Sequence, residues 1–121
     1  MTAPARLAAL AARIEADPAA LAAARSDGDA LAEQLDAGMC DGAAGDVALR
    51  WRIAVVRAVI AAPPDGDAVR ELYGELVDRY RDQPGRLAAL KPLGDEIRRL
   101  EAEGTLARSL VARSDRRPVR R

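Results

Sequence analysis

Between Asp46 and Ala62 apolar side chains occupy nearly every side of a helical wheel. Only Arg50, Ala54 and Arg57 form a polar stripe, and Arg52 falls inside the apolar arc beside Val55, Val56 and Val59. A helix this apolar needs neighbours around most of its circumference, from its own chain or from a partner. The pattern predicts a hydrophobic helix over about residues 46–62, capped by Asp46 and stopped at Pro63-Pro64.

Shorter amphipathic segments flank it. Thr2 as cap and Pro4 in the first turn introduce a helix carrying Leu7, Leu10 and Ile14. Asp17-Pro18 predicts a short second helix through Leu21. Asp27-Gly28-Asp29 reads as the start of a third, with Leu31, Leu35 and Met39 on one face. The glycines between Gly38 and Gly45 predict a loop. Beyond Pro63-Pro64, Asp67 caps a helix with Val69, Leu72, Tyr73, Leu76, Val77 and Tyr80 on one arc. Glu71, Glu75, Asp78 and Arg79 lie on the other, with Glu75 and Arg79 spaced for an i,i+4 pair. Asp82-Gln83-Pro84 opens a further segment carrying Leu87, Leu90, Leu93, Ile97 and Leu100, which Pro92 and Gly94 should kink or break. Gly104 ends it, and Thr105 caps a last short helix through Val111. The expected fold is all-α: a compact bundle of five to seven short helices around the 46–62 helix. Residues 1–112 form the expected single domain, and residues 113–121 a flexible basic tail without apolar periodicity.

Composition sharpens this picture. The chain has 121 residues, no Phe, one Trp and two Tyr, so 28 alanines and the aliphatic residues must fill the core. Alanine favours helix and lets backbones approach closely. With no histidine, the commonest general base and metal ligand is missing. The single Cys40 has an acidic neighbour, Asp41, and reads as inert. A cytoplasmic location is expected. The apolar opening is broken by Arg6, Arg13 and Glu15, which suits a leader peptide poorly, and the run Val47–Ala62 is too short to span a bilayer. Charge is asymmetric. Residues 1–46 hold three basic and eight acidic residues, net −5, whereas residues 101–121 hold six and three, net +3. Such a dipole favours oriented association with a charged partner or head-to-tail self-association.

The segment Asp27-Gly28-Asp29-Ala30-Leu31-Ala32-Glu33 recurs as Asp65-Gly66-Asp67-Ala68-Val69-Arg70-Glu71. It reads either as a duplicated unit or as one helix-start solution used twice, and the second is favoured. Neither copy places an acid at the twelfth position that a calcium loop requires. Glu71 and Glu75 sit on a polar arc, where paired carboxylates are ordinary.

Four residues on the hydrophobic helix are candidate interaction residues: Arg50, Trp51, Arg52 and Arg57. Trp51 reads as an interface anchor or as a core residue. Arg52 reads as an anion or interface contact, as half of an internal ion pair with Asp36 or Asp78, or as a side chain whose stem packs while its head reaches water. Arg98, Arg99, Arg108, Arg113, Arg116, Arg117, Arg120 and Arg121 are candidate contacts to nucleic acid or another anion. The run RLEAEG…DRRPVR faintly resembles the recognition-helix end and wing of MarR-type winged-helix DNA-binding proteins. That resemblance covers about the last fifth of the chain. The segment before it is short for a helix-turn-helix, contains Pro92, and the chain stops before a second wing strand, so no residue roles are carried over. The expected function is a non-catalytic protein–protein interaction module: an accessory subunit, adaptor or inhibitor-type partner working by helix-face packing and charge complementarity. No cofactor, metal or membrane association is expected. One alternative is a nucleic-acid-binding protein using the Arg-rich C-terminal region. The other is a His-independent enzyme that holds an anionic substrate where several arginines and an acid converge.

Overall fold

The computed structural model describes residues 2–38, 42–61 and 66–106. Six α-helices and one 3-10 turn make up nearly all of these, and no strand occurs among them. The helices are α1 (Ala3–Ala16), α2 (Leu21–Ala37), α3 (Gly42–Ala61), α4 (Gly66–Arg79), α5 (Pro84–Ala89) and α6 (Lys91–Glu103). No helix among the described residues is long and apolar enough to cross a membrane.

Caps set several of the boundaries. The Thr2 hydroxyl accepts from the Ala5 N–H at 3.2 Å, and Asp17 accepts from the Ala19 N–H at 3.2 Å, opening the 3-10 turn Pro18–Ala20. Gly104 adopts the left-handed conformation, φ 82°, that closes α6 without a Cβ clash. Just beyond, the Leu106 N–H donates to the Leu100 carbonyl at 3.2 Å, which draws Leu106 into the core.

Two of the expected boundaries are corrected. Asp27-Gly28-Asp29 does not begin a helix. It lies inside α2, because Ala24, Gly28, Leu31, Ala32 and Leu35 keep a helical period and all are buried. Gly28 is where the Trp51 ring rests, and a Cβ there would overlap that ring. The recurrence of this segment is therefore not one solution used twice, since Gly66 does stand at the start of α4. Asp46 is likewise not a cap: α3 begins at Gly42, and Gly42–Gly45 is its first turn rather than part of a loop. The break expected near Pro92 is present, between α5 and α6. The turn falls at Leu90, and Pro92 sits in the first turn of α6, where its missing N–H costs nothing.

Two hydrophobic clusters meet on α3. Ala48, Trp51 and Val55 face one that contains Leu7, Ala11 and Ile14 of α1 with Ala24, Leu31 and Ala32 of α2. Leu49 and Val56 face the other, with Val69, Leu76 and Tyr80 from the α4 region and Leu90, Leu93, Ile97 and Leu106 beyond. Small residues explain the close packing of α1, α2 and α3: Ala11, Ala24, Ala32, Ala48 and Ala54 are all buried where they meet. The Trp51 indole, fully buried, fills the space that these alanines leave.

Candidate functional site

The residues α2 and α4 turn toward each other define a cleft. Both helices rest on α3, and their backbones barely approach one another. Between them lies an opening of about 180 Å³. Val55 and Val56 of α3 and Leu72 and Leu76 of α4 form its apolar floor. Arg25, Asp29 and Glu33 wall it from α2, Glu75 and Arg79 from α4, with Arg52 at one end. The wall follows from helix geometry, since residues 25, 29 and 33 stack one turn apart.

Ion pairs hold this cleft in shape. Arg52, whose side chain is only 10% exposed, donates to Asp36 Oδ2 at 2.8 Å and to the Tyr80 hydroxyl at 2.9 Å. Arg79 crosses from α4 to the same Asp36 oxygen at 2.9 Å and to Glu33 at 2.9 Å. Asp36 and Glu33 of α2 thus bind one arginine from α3 and one from α4. Burial disfavours the Arg52 cation, but the hydrogen bonds to Asp36 and Tyr80 outweigh it and raise the guanidinium pKa above its ordinary value. Burial also pushes the Tyr80 phenol up, against the pull of the Arg52 charge. At the other end Asp29 accepts from the Trp51 indole N–H at 2.9 Å and from Arg25 at 3.0 Å. Every charged side chain lining the cleft is paired in this way except Glu75, which has no ion-pair or hydrogen-bond partner among the described residues.

The expected site residues are thereby separated. Trp51 is a core residue. Arg52 belongs to an internal ion pair, with Asp36 as its partner; Asp78 instead pairs with Arg81 at 2.6 Å. The expected pair of Glu75 with Arg79 does not form, because Arg79 reaches across to α2. Arg50 and Arg57 lie on the far side of α3, bordering a shallower groove of about 370 Å³ with Ile53 and Ala54. Arg50 holds Glu15 of α1 through two hydrogen bonds, 3.0 and 2.6 Å, and Arg57 reaches Glu96 of α6 at 3.3 Å. Arg98 and Arg99 are exposed on α6, paired with Asp95 and Glu103 of the same helix. Arg108, Arg113, Arg116, Arg117, Arg120 and Arg121 lie outside the described residues, as do Cys40 and the helix expected from Thr105 to Val111 beyond residue 106. Arg25, Asp29, Glu33 and Glu75 were not singled out by sequence as a site. The signal lies in the shared face of residues 25, 29, 33 and 36, which is lost when a helix start is placed at Asp27-Gly28-Asp29.

The fold and cleft together define an all-α helical bundle with a small amphipathic recess. No protein-family model matches the chain, and no match to it is found among curated proteins or solved structures.

Proposed function

We propose that the chain is a non-catalytic protein–protein interaction module and that the α2/α4 cleft receives a side chain of its partner. The observation that carries this reading is the cleft itself: an apolar floor reachable from solvent between two charged walls. Its volume of about 180 Å³ falls below the roughly 300–1,000 Å³ of typical small-molecule sites and suits one anchoring side chain, as at the centre of many interfaces. Three arginines and several acids do converge here, the arrangement expected of an anion-binding enzyme. The electrostatics favour the other reading. Arg25, Arg52 and Arg79 are each neutralised by a carboxylate, and Glu75 remains over, so an anionic substrate would meet a surplus of negative charge.

The test is steric and neutral. Leu72→Trp fills the cleft from a half-buried position without altering charge. Partners cross-linked to the native chain should be lost with this variant while its helical spectrum and melting temperature stay near wild type. A partner set unchanged by Leu72→Trp would reject the cleft as the contact site. Binding of nucleic acid that falls steeply with salt would favour the alternative instead.

A further inference from the structure

We infer that the side chain this cleft accepts is an arginine from a basic segment of the partner, paired to Glu75; the inference rests on the interaction-module reading above. The cleft combines two surfaces that only a long cationic side chain satisfies together. Its floor of Val55, Val56, Leu72 and Leu76 offers apolar contact to an aliphatic stem. Its rim offers Glu75, the one lining charge without a partner among the described residues. Across the opening on α2 stand Asp29 and Glu33. An apolar anchor such as leucine would fill the floor and leave Glu75, exposed on the rim, unpaired. An acidic anchor would be repelled. Arginine fits better than lysine, because its planar fork holds a carboxylate by two parallel bonds. The protein already uses that geometry with Arg50 on Glu15. Charge on the two wall helices agrees: within a chain of zero net charge, α2 and α4 carry three basic and eight acidic side chains, net −5, so the helices flanking the cleft attract a basic segment.

The full chain, labelled for amide NMR, is titrated with the blocked pentapeptide Leu-Ala-Arg-Ala-Leu and with its citrulline counterpart, which keeps the shape and removes the charge. The expected result is saturable shifts at Val55, Val56, Leu72 and Glu75, with affinity lowered about tenfold or more by citrulline or by Glu75→Gln, the size of losing a charge-assisted bond. Equal binding of the citrulline peptide, indifference to Glu75→Gln, or no shift at the cleft at millimolar peptide would each overturn the assignment. Concentration-dependent shifts at these residues in the peptide-free chain would also overturn it, since the arginine would then come from a second copy. Failure here is distinct from failure of the parent reading: Leu72→Trp would still abolish partner capture if the cleft were an interface for an uncharged anchor.

Discussion

Arg52 shows how a charge can sit among valines. Its stem packs on α3, and its head finds Asp36 and Tyr80, so the cation is neither bare nor solvent-bound. Removing one partner of a buried pair typically costs about 3–5 kcal/mol because the other is stranded. Here Asp36 is 30% exposed and retains Arg79, so it is not stranded. Arg52→Ala should therefore cost less, about 1–3 kcal/mol, through the lost stem packing and the unpartnered Tyr80 hydroxyl. Arg52→Met, which keeps the stem, should recover part of that in urea unfolding. The double variant Arg52→Met, Arg79→Met leaves Asp36 with neither partner and should be more than additive. Strict additivity would show that the two arginines do not share the load. On the opposite side of α3, the hydrogen bond from Arg50 holds the Glu15 carboxyl below its usual range. A lowered folded-state pKa means stability that is present above the ordinary carboxylate range and lost as pH falls through the folded value. Both side chains are more than a third exposed, so solvent screens the effect and its size is small. The Glu15 carboxyl resonance should titrate below that of an unpaired glutamate, and Arg50→Gln should move it back up. No change on that substitution would mean the pair does not persist in solution.

Among the helices, the pattern of apolar positions predicted the all-α class and most of the segments, but it misread α2. Aspartate-glycine-aspartate is a strong helix-start signal locally, and nothing within the segment reveals that Trp51, more than twenty residues away, occupies the space above Gly28. Tertiary packing overrode the local signal. The two carboxylates flanking that glycine also take different roles: Asp29 accepts from the indole, whereas Asp27 stays exposed. The hydrophobic face of α4 was legible because its period is unbroken. The destination of Arg79 was not, because a charge on a polar arc is equally compatible with a neighbour one turn away and with another helix. Glycines in α2 and α4 turn this into a test. Gly28→Ala gains about 1 kcal/mol of helix propensity, yet its Cβ overlaps the Trp51 ring, and overpacking costs about 1–3 kcal/mol or more. The net expected result is destabilisation with a shifted Trp51 emission. Gly74→Ala in α4, where a Cβ meets nothing, should stabilise by about 0.5–1 kcal/mol. If both substitutions stabilise, the ring does not lie on Gly28.

At the scale of the molecule, α3 belongs to both clusters at once. Ala48, Trp51 and Val55 serve the α1/α2 side, and Leu49, Ile53, Val56 and Ile60 serve the α4–α6 side, interleaved on one helix. Neither cluster can lose α3 without the other losing it too, so the described helices should unfold as one cooperative unit. The single tryptophan makes this measurable, because its emission reports the α1/α2 side alone. Leu93→Ala acts on the opposite side: Leu93 is buried in α6 and makes no part of the Trp51 cluster. Deleting such a side chain costs about 2–5 kcal/mol. In guanidinium unfolding, the Trp51 transition of Leu93→Ala should shift to lower denaturant by the same amount as the far-UV transition, with the slope unchanged. Ion pairs reinforce the coupling, since Arg52 and Arg79 tie α2 to α3 and α4 near the cleft, and Arg70 ties α4 to Glu101 of α6. A Trp51 midpoint left at its wild-type value while the far-UV signal splits into two steps would mean that the α4–α6 side melts first and alone. In that case the α2/α4 cleft, whose two walls belong to different clusters, would open before the tryptophan side of the bundle unfolds.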